Sequence, residues 1–298
     1  MIRVAFSAAL FVAAASFPAG AVSVGGDESR QDLGTIERVY ELIARNDLDA
    51  AVRVAEAIAA AAPDSSDAHE ALGTALAKMG RLREALAALD QAIAAAPDAN
   101  IEARTKRGDV LRAMDRPREA RAAFEAALAR RPDNRIAHQR LGLMARDAGD
   151  PARAIEHLEK GLVGAPPGYV GVKIDLAALY RAEGRARDAV DLLAEDVAEG
   201  RGGAAAALAL GDARAALGDH DGAETAYAAA TALRPEAAEP WLKRAAELMR
   251  LDRPGDAAES LRGAGAALGR PEIVADRLAR ALDAAGDAAG AAAALPEG

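Results

Sequence analysis

Three arginines recur at a nearly constant interval, since Arg112, Arg146 and Arg181 are separated by 34 and then 35 positions. A guanidinium group matches planar carboxylates and phosphates through its fixed pattern of N–H donors. If the segments around these arginines stack regularly, the side chains form a ladder that orients an acidic segment of a partner. Exposed ion pairs contribute under about 1 kcal/mol each, so apolar contacts must supply most of the roughly 8 kcal/mol behind micromolar affinity. The alternative interpretation is a solvated arginine face in an arginine-rich chain.

Residue types that perform catalysis or bind metals are sparse. Cysteine is absent from the chain, which excludes thiol nucleophiles, cysteine-based zinc sites and covalent haem attachment. The four histidines are His69, His138, His157 and His220, and none has a second histidine at the spacing of a metal motif. The sequence also lacks a glycine-rich phosphate loop and a dinucleotide fingerprint. It therefore predicts no catalytic residues, no metal and no cofactor, and so a protein that is not an enzyme.

Acidic residues outnumber lysine and arginine by 46 to 37, and the formal net charge is −9. A protein that binds nucleic acid usually has a basic face or stripe, so this charge balance predicts that nucleic acid is not a partner. Hydrophobic residues make up 51% of the chain, but only 3% of residues are aromatic. Alanine favours helices and buries little apolar area, so stability must be summed over many weak helical units.

The amino terminus differs in composition from the rest of the chain. Arg3 precedes an apolar run from Val4 to Phe17, and Pro18-Ala19-Gly20-Ala21 follows. Because this pattern is typical of a secretory signal, we predict a cleavable signal peptide over residues 1–21 and a flexible lead over 22–31. Export places the protein in the bacterial periplasm or outside the cell. The alternative is that the segment is not cleaved and anchors the protein in the membrane, although a helix needs about 20 apolar residues to span a bilayer. Membrane contact is expected only in that case.

Small residues mark an internal repeat of 34 or 35 residues. They are Gly73, Gly108, Gly142, Ala177, Gly211, Ala245 and Ala279. Self-similarity at this period is typical of stacked two-helix units. Proline recurs at the predicted first residue of the second helix, where its missing N–H has no helical partner, at Pro117, Pro151 and Pro254. One residue before that point, an aspartate is predicted to cap the helix at Asp47, Asp150, Asp219 and Asp287.

The repeated segment resembles the tetratricopeptide repeat, whose pattern includes a leucine–glycine pair and a closing run of alanine, an aromatic residue, alanine and proline. The matching residues are Leu72-Gly73, Leu141-Gly142, Leu210-Gly211, Ala120, Phe124, Ala127 and Pro132. The resemblance implies an all-α fold, a right-handed α-solenoid of about eight helix–turn–helix units over residues 32–298. We place the starts of the units near residues 32, 66, 101, 135, 170, 204, 238 and 272. With the signal segment, the chain is similar to exported bacterial members of the family.

The resemblance also implies a binding groove, lined by the stripe of residues next to the core stripe of each first helix. In this chain that stripe consists of Lys78, Thr105, Asp109, Arg112, Gln139, Arg146, Asp147, Arg181, Asp212, Met249 and Arg250. The family implies that a protein or peptide segment binds there. Members that grip the acidic tails of heat-shock chaperones use lysines and asparagines at set groove positions. Those positions hold Thr105, Asp109, Gln139 and Leu143 here, so that clamp is not expected.

The fifth unit departs from the repeat pattern. It lacks the closing proline, has Asp196 where a small buried residue is expected, and continues into Gly200-Arg201-Gly202-Gly203. Glycine frees the backbone and a charged residue weakens an apolar interface. We therefore predict a hinge near Gly202, between units one to five and units six to eight.

Two functions of different classes fit these observations. The first is a non-catalytic periplasmic scaffold that holds a protein or peptide segment during assembly of an envelope, secretion or polysaccharide-export complex. The alternative is a glycan- or peptidoglycan-binding accessory domain of an envelope enzyme. Exposed aromatic and amide side chains in the groove would favour the alternative, and the predicted groove has few of them.

Overall fold

The computed structural model describes residues 35–295. The secondary structure of this range is helical, and no residue between 35 and 295 lies in a β-strand. The predicted all-α repeat fold is confirmed by this succession of helices. The predicted signal peptide over residues 1–21 and the lead over 22–31 lie outside the described residues.

Pairs of α-helices follow one another along the described range, with odd-numbered helices first in each repeat and even-numbered helices second. They are α1 (Ile36–Ala44), α2 (Leu48–Ala61), α3 (Ser66–Lys78), α4 (Leu82–Ala95), α5 (Ile101–Ala113), α6 (Pro117–Arg130), α7 (Arg135–Asp147), α8 (Pro151–Leu162), α9 (Val170–Ala182), α10 (Ala186–Ala198), α11 (Gly203–Ala216), α12 (His220–Leu233), α13 (Ala238–Arg250), α14 (Pro254–Leu268), α15 (Ala275–Ala284) and α16 (Ala288–Ala294). A 3₁₀-helix, Pro271–Val274, precedes α15.

The predicted aspartate caps are confirmed. The side chains of Asp47, Asp150, Asp219 and Asp287 each accept a hydrogen bond from the backbone N–H three residues later, at 2.9 to 3.3 Å. These N–H groups have no partner within their helix, and a side-chain cap is typically worth about 1 kcal/mol. The caps therefore fix where these second helices begin.

The turn between the two helices of each repeat contains one residue in the left-handed region. These residues are Asn46, Gly80, Asp115, Gly149, Gly184, Gly218, Asp252 and Gly286, with φ between 55° and 83°. Each lies seven positions after the small residue of its repeat, or after Val39 in the first repeat. Glycine adopts this conformation without strain, and asparagine and aspartate tolerate it better than other residues. The helical hairpins therefore share one turn geometry.

The small residues of the repeat lie where the two helices of a hairpin approach closely. A Cβ atom built on Gly73 would be 2.7 Å from Leu89 Cγ, and one on Gly211 would be 2.5 Å from Tyr227 Cε1. Contacts this short require the neighbouring side chain, or the helix that carries it, to shift. The spacing of small residues in the sequence is thus the spacing of helix crossings.

The chain divides into two compact units, and their described parts are residues 35–116 and 117–295. In the first, α1 to α5 surround a core that includes Val39 and Leu89. In the second, Leu158 and Leu193 belong to one buried cluster and Leu248 to another. Gly202, where a hinge is predicted, lies inside the second unit, and the hinge itself stays a prediction.

Candidate functional site

Charged side chains connect successive first helices within the second unit. Arg146 near the end of α7 donates from its NH1 to Asp175 Oδ1 on α9 at 2.5 Å. It also contacts the neighbouring Asp147, with NH2 at 2.8 Å from Oδ1. Burial raises the pKa of Asp175, although the Arg146 charge opposes that shift. This arginine of the predicted ladder is thus held by the protein's own carboxylates.

The next pair of first helices is joined through Asp212 on α11. Arg181 on α9 lies 3.5 Å from Asp212 Oδ2, and the Lys243 ammonium on α13 lies 2.7 and 2.9 Å from the two carboxylate oxygens. Tyr227 donates its hydroxyl to Asp212 Oδ1 at 2.8 Å. Burial, followed by this hydrogen bond to a carboxylate, raises the pKa of Tyr227 well above its usual value. Asp212 therefore binds groups from three other helices, α9, α12 and α13.

We call Arg146, Asp175, Arg181, Asp212 and Lys243 the ion-pair row. Its members link α7 to α9, α9 to α11 and α11 to α13. Burial acts to lower the pKa of Lys243, but hydrogen bonds to Asp212 and Glu239 outweigh it and the pKa is raised. The row presents both signs of charge at the surface of the first helices, with the arginine side chains 37% and 42% exposed.

The first unit has a smaller network of the same kind. Lys106 on α5 lies 2.6 Å from Glu70 Oε1 on α3 and 3.2 Å from the Tyr40 hydroxyl on α1. Burial acts to lower the pKa of Lys106, but Glu70 and Tyr40 raise it overall. The first helices of three successive repeats are therefore connected here through one ammonium group. The remaining predicted groove residues of this unit differ in burial: Lys78 and Asp109 are half-buried, and Arg112 is exposed.

Two residues of the predicted groove stripe do not line an exposed surface. Thr105 is only 4% exposed and donates its hydroxyl to the Ile101 carbonyl at 2.9 Å. Gln139 is 3% exposed and donates its amide to the Gly161 carbonyl at 2.8 Å. Their inclusion in the groove was wrong, because both side chains bond to backbone oxygen inside the helix packing.

The other predicted residues of the second unit lie at the surface or at its edge. Asp147 and Met249 are exposed, and Arg250 is exposed while contacting Glu247 on its own helix. Asp212, at 13% side-chain exposure, is nearly covered by its partners. The structure thus brings Arg146, Arg181 and Asp212 into one row.

Sequence reasoning did not identify Asp175 and Lys243 as members of that row. Each lies two positions before the small residue of its repeat, as does Lys106 in the first unit. The signal that could have revealed them is a charged residue at this position together with a residue of opposite charge about one repeat away, on the neighbouring first helix.

Neither a metal cluster nor a membrane-spanning helix is present in the described part of the chain. Between residues 35 and 295 there is no group of three or more histidine, cysteine, aspartate or glutamate side chains able to hold a metal ion. None of the helices in this range has the length and apolarity needed to cross a bilayer.

Three sequence profiles, each described as a tetratricopeptide repeat, match the chain. One matches residues 105–169, a second matches 42–109 and 145–212, and a third matches 204–237. Together they cover most of the chain. The chain belongs to the tetratricopeptide-repeat family. Tetratricopeptide repeats form scaffolds for protein–protein interaction and are typically non-catalytic, so the coarse function is protein binding.

Solved tetratricopeptide-repeat structures share the fold at low sequence identity. The pilF protein of Pseudomonas aeruginosa is 22% identical, with a TM-score of 0.59 over 73% of this chain and 95% of its own. The C-terminal part of a repeat protein from Cytophaga hutchinsonii is 16% identical, with a TM-score of 0.56 over 88% of this chain and 100% of its own. A chain of the APC/C hetero-tetramer Cut9–Hcn1 is 16% identical, with a TM-score of 0.55 over 83% of this chain. This chain spans 48% of that larger one. No curated protein sequence matches significantly.

His69 and His138 each bond to the carbonyl oxygen of a preceding proline within the packing of their repeats. His69 Nε2 lies 2.7 Å from the Pro63 carbonyl oxygen, and His138 Nε2 lies 2.9 Å from that of Pro132. Trp241, at the same position of its repeat, donates its indole N–H to the Pro235 carbonyl at 3.0 Å. In these repeats, an N–H donor four residues before the small residue thus donates a hydrogen bond to the carbonyl of the proline that closes the previous repeat.

The fifth repeat replaces this arrangement with a buried ion cluster. Asp196 on α10 is 1% exposed, and its two carboxylate oxygens lie 2.5 Å from Lys173 Nζ and 2.5 Å from Arg201 Nε. Burial acts to raise the pKa of Asp196, but the hydrogen bonds to both cations hold it below its usual value. The turn that follows α10 is therefore attached to the helix pair through Arg201.

Proposed function

We propose that the chain is an exported, non-catalytic scaffold that holds a segment of a partner protein during assembly of an envelope, secretion or polysaccharide-export complex. The observation that carries the binding site is the ion-pair row of the second unit. Its two arginines and Asp175 are partly exposed along successive first helices, where repeat scaffolds of this family are expected to receive ligands. The family supports protein binding, and the amino-terminal sequence pattern supports export.

The row favours a partner segment with charges of both signs over a purely acidic one. Arg146 and Arg181 are already paired with Asp175 and Asp212, so an acidic ligand must compete with these carboxylates. A segment with alternating charges instead binds both members of a pair without leaving either unpaired. Opposite charges across an interface set register and specificity more than affinity.

Apolar contacts on the same helices supply the larger part of the affinity. Ile136 is 44% exposed and Met249 is 42% exposed. Ile136 and Arg146 belong to one i, i+3/i+4 series through Leu143 on α7, and Met249 lies near the end of α13. Exposed ion pairs yield under about 1 kcal/mol each, whereas micromolar binding takes roughly 8 kcal/mol. A partner segment therefore needs apolar residues beside its charges.

Site-specific photo-crosslinking in the producing cell tests this surface and captures a partner whose identity is not known in advance. A photoreactive residue at Ile136 or Met249 should trap the same polypeptide. Matched probes at Arg121 on α6 and Arg187 on α10, which are exposed on second helices, should not trap it. Trapping only from the second-helix probes would place the binding surface elsewhere.

The trapped partner then allows a quantitative test of the row. Replacing Arg146 and Arg181 by alanine should weaken its binding about ten-fold, since two exposed ion pairs are lost. The control variant, with Arg121 and Arg187 replaced by alanine, should bind like the parent protein. An unaltered dissociation constant in the row variant would reject the row as the binding site.

Export is tested separately by fractionating cells and measuring the intact mass of the protein. The proposal expects a soluble envelope fraction and a chain that begins at Val22. A cytoplasmic protein of full mass would contradict export while leaving the binding surface in place.

A further inference from the structure

Two histidines face each other between the helices of the fourth repeat. His138 on α7 has its Nε2 2.9 Å from the Pro132 carbonyl oxygen. A carbonyl only accepts hydrogen bonds, so Nε2 carries the proton and the neutral imidazole has a lone pair on Nδ1. That Nδ1 lies 2.9 Å from Nδ1 of His157 on α8, and the ring planes make an angle of 42°.

Only one proton fits between the two Nδ1 atoms. In the neutral pair, the Nδ1–H of His157 donates to the lone pair of His138. If both rings were protonated, two N–H groups would point at each other across 2.9 Å. Burial, followed by the charge of His138, accordingly lowers the pKa of His157. The structure thus places two imidazole nitrogens at close range with one proton between them.

The same geometry suits a divalent transition-metal ion. Neutral imidazole is a ligand of Cu²⁺, Zn²⁺ and Ni²⁺. Metal–imidazole distances near 2.0–2.1 Å and two nitrogens 2.9 Å apart give an angle at the ion of about 90°. An ion at that point requires the ring of half-buried His157 to rotate until its lone pair faces the ion, with the ring proton on Nε2. The bond from His138 Nε2 to a backbone carbonyl is the outer-shell contact that metal-bound histidines usually make.

Nearby charges are mixed, and His157 is half-buried. Glu156 and Glu125 act to raise the pKa of His157, and Lys160 acts to lower it. Lys160 is bound to Glu156 at 2.7 Å, which offsets its charge. Because no third side-chain ligand is assembled in the described residues, water must complete the coordination.

The second repeat contains half of this arrangement and serves as an internal reference. His69 lies at the same position as His138 and bonds through Nε2 to the Pro63 carbonyl. The position equivalent to His157 is Ala88, and His69 Nδ1 is buried without a hydrogen-bond partner. The second imidazole is therefore a specific feature of the fourth repeat and is not needed to hold the first.

We propose that His138 and His157 form a two-histidine site for a divalent transition-metal ion. Cu²⁺ binds more tightly than Ni²⁺ or Zn²⁺, following the general order of affinity of nitrogen ligands. The ion displaces the shared proton and lies to one side of the line between the two Nδ1 atoms, and binding weakens in acid because the imidazoles must be deprotonated. The site is independent of the ion-pair row and of the proposed export.

Isothermal titration of the chelator-treated full chain with Cu²⁺ and then Zn²⁺ tests the site. Near neutral pH the parent protein should bind one ion, with a dissociation constant on the order of micromolar for Cu²⁺. His157→Ala should weaken this binding at least about ten-fold. Alanine is native at the equivalent positions Ala88, Ala123 and Ala226, so this variant should fold. His220→Ala is the control, because His220 pairs with Glu247 instead, and it should bind like the parent.

Electron paramagnetic resonance of the Cu²⁺ complex should show two nitrogen ligands in the parent and in His220→Ala. Unchanged affinity and stoichiometry in His157→Ala would overturn the proposal. It would also be overturned if NMR detected proton titration of the pair while no metal ion bound, since the histidines would then share a proton only.

Discussion

The fifth and sixth repeats differ at one buried position, and the difference shows what a repeat needs in order to hold a charge. Asp196 and Ala230 both lie 19 positions after the small residue of their repeats. Ala230 is completely buried among apolar groups, and Asp196 is buried with two cations. The equivalent residues are Ala92, Ala127, Gly161 and Ala264 in the second, third, fourth and seventh repeats and Ile58 in the first.

Lys173 and Arg201, two further residues particular to the fifth repeat, meet Asp196 in one cluster. Lys173 lies where His69, His138 and Trp241 bind a proline carbonyl, and Arg201 replaces the closing proline itself. Because a buried carboxylate is stable only with its countercharges and hydrogen bonds in place, the three substitutions compensate one another. Asp196 departs from the repeat pattern and by itself suggests a weak helix interface. In the structure it is instead one member of a complete ionic contact.

The largest effect is expected from Ala230→Asp, which places a carboxylate in the sixth repeat without its cations. The positions equivalent to Lys173 and Arg201 are Ala207 and Pro235, so the charge is buried unpaired. The free energy of unfolding should fall by about 3–5 kcal/mol, as measured by urea denaturation followed by circular dichroism. Ala232→Asp, on the exposed face of the same helix, is the matched control and should change little. Equal midpoints for the two variants would contradict the comparison.

Removing both cations of the fifth repeat should have the next largest effect. The double variant Lys173→Ala, Arg201→Ala leaves Asp196 buried and unpaired, and about 3 kcal/mol of stability should be lost. Adding Asp196→Ala restores the residue type found at Ala230 and should recover most of that loss. If the triple variant were no more stable than the double variant, the cations would be acting independently of Asp196.

Acid should weaken the ion cluster of Asp196, Lys173 and Arg201, whereas the sixth repeat has an uncharged alanine at the equivalent position. The folded-state pKa of Asp196 lies below its usual value. The ionised carboxylate therefore contributes fully to the free energy of unfolding above the unfolded pKa of about 4, and this contribution is lost as the pH falls from there through the folded-state pKa. Urea midpoints between about pH 5 and pH 2 should therefore fall more steeply in the parent than in the triple variant. Parallel pH profiles would show that the carboxylate is not stabilised by its partners.

The smallest effect is expected for the exposed pairs of the ion-pair row. Arg146 and Asp175 are 37% and 36% exposed, so water screens their attraction. Asp175→Ala should cost less than about 1 kcal/mol, and adding salt should reduce that difference further. A loss comparable to that of the cation double variant would show that the row contributes to stability like the buried cluster.

The fold could be predicted because its signals are local. The period of small residues, the aspartate caps and the prolines at helix starts act within a few residues of one another. Gly73 and Gly211 mark helix crossings that the structure places within contact distance. The contacts of His69 and His138 are local as well, because a donor at this position has a carbonyl six residues earlier to bind.

The candidate surface was predicted less well. Periodicity placed Arg146 and Arg181 on one stripe but could not show that Asp175 and Asp212 neutralise them. The family resemblance also placed Thr105 and Gln139 in the groove, although both bond to carbonyls in the interior. A helical period gives the direction of a side chain to within a fraction of a turn, and burial at the edge of a stripe depends on how the neighbouring helices pack.

The sequence by itself determined the helices, their turns and their repeat period, because hydrogen-bonded turns and caps are set by residues adjacent in the chain. Only the tertiary structure decided which charges meet, since Asp196 acquires Lys173 from another helix and Arg201 from the following turn. It likewise decided that His138 faces His157, whereas His69, at the same position of its repeat, faces no second imidazole. Contacts between helices depend on packing distances that no local pattern records.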